Sequence, residues 1–169
     1  MTNKKINDII VLEREENKME NKVIVFDMDG TIADLYGVDG WLADLRSENV
    51  RPYRLAEPLW NMVILADILN ELKKDGWRIV VTTWTAKGGS KRYNNKVADT
   101  KKEWLKNLNF PFDEFHAVKY GTTKLNCTRK LGGYQILIDD CDEVRKGWNG
   151  GEVVNPTTTD IIEYLAGLL

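Results

Sequence analysis

Residues 22–26 read KVIVF, and after Lys22 the run is apolar and largely β-branched with no polar residue at alternate positions. A strand wetted on one face would alternate, so this one is expected to be covered on both, as the central strand of a parallel sheet is. The run leads straight into Asp27-Met28-Asp29-Gly30-Thr31, so two carboxylates follow a buried strand with one Met between them. Charges at such a place are costly unless something compensates them.

The rest of the chain repeats the strand-then-helix pattern. Residues 59–74 follow Pro58, carry Leu59, Met62, Val63, Ala66, Leu69 and Leu72 at helical spacing, and stop at Asp75-Gly76. WRIVVTTWT (77–85) predicts a second strand, and a helix is expected over roughly 95–107. Further strands are expected at 115–119, 134–140 and 152–156, and a last helix with Thr159 or Asp160 at its N-cap. Strands alternating with helices predict an α/β fold, a parallel sheet with helices on both faces. Residues 35–58 hold glycines, prolines and aromatics in no regular pattern and read as a small insertion, with a short helix near Trp41–Arg46. Residues 1–20 read as a polar N-terminal extension with one apolar patch at Ile9–Leu12, leaving 21–169 as the compact domain.

Composition narrows the chemistry. A net charge of -2 provides no global field for nucleic acid. The one histidine, His116, excludes a multi-histidine metal site, and Cys127 and Cys141 form no zinc-type cluster. No apolar run reaches the ~18 residues of a membrane span and the N-terminus lacks an apolar signal core, so a cytoplasmic protein with no membrane contact is expected.

In open parallel sheets ligands bind outside the C-terminal ends of the strands. Those ends carry Asp27 and Asp29, Thr82 and Thr83, Lys119 and Lys124, and Asp139 and Asp140. Carboxylates converging from two strand ends repel, and an all-oxygen set suits a hard divalent cation, magnesium best. A hydroxyl and a lysine beside it suit a phosphate group. A carboxylate there can act as nucleophile, and a second one as general acid and then base. Each weaker piece also has an ordinary structural reading: Asp-Asp as a cap, Thr-Thr as β-propensity, a loop lysine as solvated surface. The DMDGT run has none so simple.

DMDGT resembles motif I, DxDGT, of the haloacid-dehalogenase-like (HAD) phosphohydrolases, and the later elements follow that superfamily's order from about Lys22 to Pro156. The resemblance implies a Rossmann-like, three-layer HAD core with a small cap insertion at 35–58, and a magnesium-dependent phosphoric monoester hydrolase. It implies Asp27 as nucleophile and Mg2+ ligand. It makes Asp29 the general acid/base, offering its backbone carbonyl to the metal. Thr83, seven residues after Gly76, resembles the motif II hydroxyl, with Thr82 on the other face. Lys124 best resembles the motif III lysine, with Lys119 and Lys130 as alternatives. In ILIDD, Asp140 is the direct metal ligand and Asp139 acts through water or a hydrogen bond.

Within the superfamily, DMDGTIAD, including Asp34, is similar to the 5′(3′)-deoxyribonucleotidases. IDDCDEVRKGW is similar to the phosphatase domain of phage polynucleotide kinase-phosphatases, although no P-loop is present. The expected substrate is therefore a small phosphomonoester, a nucleotide, with a polynucleotide 3′-phosphate end as the alternative. A non-catalytic nucleotide- or phosphate-binding regulatory protein, and a phosphotransferase, are the other readings. Tyr36, Trp41, Tyr53 and Trp60 are candidates for a base-stacking surface, with the helix core as the ordinary place for Trp41 and Trp60. Trp84 is expected to flank the phosphate pocket. The 86–97 loop carries Lys87, Lys91, Arg92 and Lys96, and Gly147–Glu152 is expected as a turn at the rim.

Overall fold

The structure, a computed structural model, describes residues 21–169. The 1–20 extension and its Ile9–Leu12 patch lie outside the described residues. Five parallel strands form one sheet: β1 (Lys22–Phe26), β4 (Trp77–Trp84), β5 (Glu114–Val118), β6 (Tyr134–Ile138) and β7 (Gly151–Val154). Their order is β5-β4-β1-β6-β7, with β1 in the middle as its continuous apolar run requires. The chain fills one side of β1 first, then crosses to the other, so the topological switch point lies between β1 and β6. That crevice is where open α/β sheets hold ligands.

Two faces of the sheet are covered. Ile24, Phe26, Ile79, Val81, Ile136 and Ile138 pack against α3 (Met62–Lys74), α4 (Lys91–Asn107) and α7 (Ile161–Ala166). Val23, Val25, Val80 and Leu137 meet a thinner layer of α5 (Leu125–Thr128), a 3-10 turn at Arg129–Leu131 and α6 (Asp142–Lys146). The three layers match the expected α/β, Rossmann-like architecture.

Several boundaries moved for local reasons. Helix α3 begins at Met62, not 59, because the Asn61 side chain caps it by accepting from the Val63 and Ile64 N–H groups. Its buried stripe is Met62, Leu65, Leu69 and Leu72, whereas Val63 is 72% exposed. Helix α4 starts at Lys91, four residues early, because Ser90 accepts from the Tyr93 N–H as N-cap. Lys91, Arg92 and Lys96 therefore stand on a helix rather than in a loop. Strand β6 ends at Ile138, so Asp139 and Asp140 follow the strand. Asp160 caps α7.

The insertion is closed at its base by a two-residue antiparallel ladder of β2 (Ala33–Asp34) with β3 (Glu57–Pro58). Between them lie α1 (Trp41–Arg46) and α2 (Arg51–Leu55). Leu35 and Tyr53 pack on Ala86, Tyr93 and Val97, seating the insertion on the start of α4. Glu48 tightens this seat by accepting from the Ser90 N–H (2.6 Å) and hydroxyl (2.8 Å). Asp34 is structural here, since its carboxylate accepts from the Gly37 N–H at 2.8 Å and turns the chain into the insertion.

Candidate active site

Register puts the first carboxylates together. Phe26 pairs with Val81 on one side and Ile138 on the other, so Asp27 emerges between Thr82 and Asp139. Its N–H donates to the Ile138 carbonyl at 2.9 Å, which holds the two strand ends in step. Lys124 reaches this point from just ahead of α5. Its ammonium donates to Asp27 Oδ1 at 2.5 Å and to Asp139 Oδ2 at 2.6 Å. Lys119 and Lys130 are exposed, so geometry separates the three lysines where spacing could not. Burial works against the Lys124 ammonium, but Asp27 and Asp139 outweigh it and hold its pKa above the ordinary lysine value.

Oxygens of Asp27, Asp139 and Asp140 lie within 4.8 Å of one another. Asp140 is held by Thr31, whose hydroxyl accepts the Asp140 N–H at 3.1 Å. Gly30, at φ +77°, passes so close to the Asp140 carboxylate that a Cβ there would collide with it. Asp29 differs from the other three. Its side chain is outside this 4.8 Å group and pairs with Lys101 at 2.5 Å, which leaves its backbone carbonyl as the group it could turn to a shared cation. The backbone hydrogen bonds of the turn go to the Met28 and Ala33 carbonyls and leave that one without a donor among the described residues.

Lys101 is the residue sequence reasoning missed. It is fully buried on α4 and donates to Asp29 Oδ2 (2.5 Å), Thr83 Oγ1 (2.9 Å) and the Trp84 carbonyl (2.8 Å). Tyr53, from the insertion, lays its ring 4.9 Å from the same ammonium. A signal was present, because Val97, Lys101 and Leu105 recur every four residues on the buried stripe of α4. Burial pushes the Asp29 carboxyl up, against the pull of Lys101.

A cavity of about 480 Å³ opens over these groups. Asp27, Asp29, Asp140, Lys124 and Trp84 line it, together with Tyr36, Trp41 and Tyr53 from the insertion. Thr83 does not line it; its hydroxyl faces Lys101, and Thr85, two residues on, takes the place at the cavity wall. Trp60 does not line it either, since its indole N–H is spent on the Thr31 carbonyl at 2.7 Å and its ring packs on the core. Among Lys87, Lys91, Arg92 and Lys96, Lys87 alone borders the cavity. The rim expected at Gly147–Glu152 contributes Gly147 and Trp148 to a neighbouring cavity instead.

Four carboxylates (Asp27, Asp29, Asp139, Asp140) face two ammonium groups (Lys101, Lys124), so two negative charges remain uncompensated when all four are ionised. Hard oxygen donors with that charge fit magnesium or a similar divalent cation. Without a cation, burial and then the charge of Asp27 push Asp140 up to about 6 and Asp139 upward as well. A carboxyl whose folded pKa lies above its unfolded value favours the folded state while protonated. That contribution is whole below the unfolded value of about 4 and is lost as pH rises through the folded one. Without a cation the protein should therefore lose stability between about pH 4 and pH 7, by ~1–2 kcal/mol once solvent screening of the half-buried Asp140 is allowed for. Added Mg2+ should raise the melting temperature more at about pH 8 than at about pH 5, where protons compete for the same oxygens. Equal increments at both pH values in thermal melts would remove these carboxylates from the metal site.

No family model matches the chain, and no curated protein does. Among solved structures, it is similar to D,D-heptose 1,7-bisphosphate phosphatase from B. bronchiseptica complexed with magnesium and phosphate, at 14% identity and a TM-score of 0.46, over 88% of this chain and 99% of that chain. It is also similar to D,D-heptose 1,7-bisphosphate phosphatase from Burkholderia thailandensis, at 15% identity and a TM-score of 0.40, over 79% and 91%. No helix among the described residues is long and apolar enough to cross a membrane.

Proposed function

We propose that the protein is a magnesium-dependent phosphomonoesterase of the HAD type, acting on a nucleotide through an aspartyl-phosphate at Asp27. The observation that supports this most is the junction of Asp27, Asp139 and Asp140 at the topological switch point, with Lys124 spanning the first two. Asp27, Asp139, Asp140 and the Asp29 carbonyl would hold the cation. When bound, it would neutralise the carboxylates and stabilise charge on the phosphoryl oxygens.

The chain's own residues account for the rest. Asp27 attacks phosphorus while the ester oxygen leaves with the proton of Asp29, whose carboxyl is biased toward holding one by burial. Asp29 then takes a proton from water, whose oxygen attacks the same phosphorus. Inorganic phosphate departs and the Asp27 carboxylate is regenerated. Lys124 supplies positive charge beside the nucleophile, and Lys101 fixes the direction of Asp29. Tyr36, Trp41 and Trp84 offer flat surfaces for a base above the phosphate, whereas Tyr53 is buried against Lys101.

A polynucleotide phosphate end is the second reading, favoured by one observation. A further cavity of about 280 Å³ shares Trp84, Tyr120 and Lys124 with the first and would have room for a neighbouring nucleotide.

The test is a screen of an aryl phosphate, nucleoside monophosphates and a 3′-phosphorylated oligonucleotide, with and without chelator. Turnover is expected on the aryl phosphate and at least one nucleotide, falling about 100-fold or more with EDTA and returning with Mg2+. Activity indifferent to chelation would end the metal assignment, and binding without turnover would favour a regulatory protein.

A further inference from the structure

The cavity over the carboxylates is larger than a phosphate group needs. At about 480 Å³ it is of the size that encloses a small organic ligand. Its walls carry two aromatic pairs, Tyr36 with Trp41 (ring centroids 5.1 Å apart) and Trp84 with Tyr120 (4.8 Å). Two cations from separate elements, Arg46 at the end of α1 and Lys87 in the loop after β4, also border it, and both are exposed at its rim. Lys87 sits over the Tyr120 ring at 5.3 Å. Neither cation has an ion-pair partner among the described residues, whereas Arg51, on the neighbouring α2, is paired with Asp44.

We infer that Arg46 and Lys87 form a second anion subsite, so that the preferred substrate is a nucleotide unit carrying a phosphate-type group in addition to the one that is cleaved. This rests on the phosphomonoesterase reading and specifies its substrate. The scissile phosphate lies on the floor with Asp27 and Lys124, and the base stacks against an aromatic pair. The sugar then directs its other phosphate back toward the rim. An arginine fork and a lysine point charge suit that group. Cations at the mouth also counter the negative floor during approach. The second group has two chemical sources, the other phosphomonoester of a nucleoside bisphosphate or the phosphodiester that links a terminal nucleotide to its neighbour.

The experiment compares kcat/KM for an aryl phosphate, nucleoside 3′- and 5′-monophosphates, a nucleoside 3′,5′-bisphosphate and a 3′-phosphorylated dinucleotide. The bisphosphate or the dinucleotide should exceed the better monophosphate by about tenfold or more, and the advantage should shrink as salt is raised. The better of the two identifies the source. In the Arg46→Gln/Lys87→Gln double variant the ratio should fall to within about twofold of one. A wild-type ratio near one, or a ratio that survives the double substitution, would overturn the subsite while leaving the phosphatase reading standing. No turnover of any substrate, the aryl phosphate included, would overturn the phosphatase reading and the subsite with it.

Discussion

Replacing Asp27 by Asn is expected to lower turnover of an aryl phosphate by about 10⁴-fold or more while leaving the fold intact. Asn keeps the shape of the side chain, and the Asp27 N–H bond to the Ile138 carbonyl does not depend on the carboxylate. What is lost is the oxygen proposed to attack phosphorus and one of three clustered acidic groups. Lys124 retains Asp139 as a partner, and the repulsion between Asp27 and Asp139 disappears, so the melting temperature should hold or rise. Raising Mg2+ separates the two losses. A variant that only bound metal weakly would recover with excess cation, and one without its nucleophile would not. Turnover at the wild-type level would show that another group attacks.

Lys101→Met is expected to have the second largest effect, on activity and stability together. Methionine nearly fills the volume of the lysine stem but leaves Asp29, Thr83 and the Trp84 carbonyl without their common donor. Removing one partner of a buried ion pair costs about 3–5 kcal/mol, and the lower end fits here because Asp29 retains some solvent contact. Asp29 would also lose its orientation, and kcat should drop about 100-fold. Adding Asp29→Asn to Lys101→Met should return part of the stability and none of the activity, the pattern of a coupled pair. A Lys101→Met protein with wild-type melting and turnover would show that the lysine does not serve Asp29.

Much of this site was legible in the residues before any fold was known. Asp27, Asp29, Asp139 and Asp140 follow apolar strands, and for the pair in DMDGT a structural reason is hard to find, whereas Asp139-Asp140 alone could have been a cap. Lys101 escaped notice because lysine on a helix ordinarily faces water, although its spacing from Val97 and Leu105 placed it inward. The distance of Thr83 from Gly76 suits a phosphate contact, but its hydroxyl turns to a lysine on α4, and spacing along one strand says nothing of what the next helix brings. Val63 and Leu65 exchanged places for a related reason: packing against the sheet selects the stripe of Met62, Leu65, Leu69 and Leu72 and leaves Val63 to solvent.

Local pattern was therefore enough for the sheet, its central strand and the identity of the acidic residues. Continuous apolarity and strand-to-helix alternation act over a few neighbours and are read directly from the chain. The tertiary structure decided which groups pair: Lys124 with Asp27 and Asp139, Lys101 with Asp29, Thr31 with Asp140, and Arg46 and Lys87 around one cavity. Those choices depend on register and helix docking across more than seventy residues of chain in the Lys101–Asp29 and Lys124–Asp27 pairs. They are settled by what must be buried together, since an ionised group can enter the interior only beside its counter-charge.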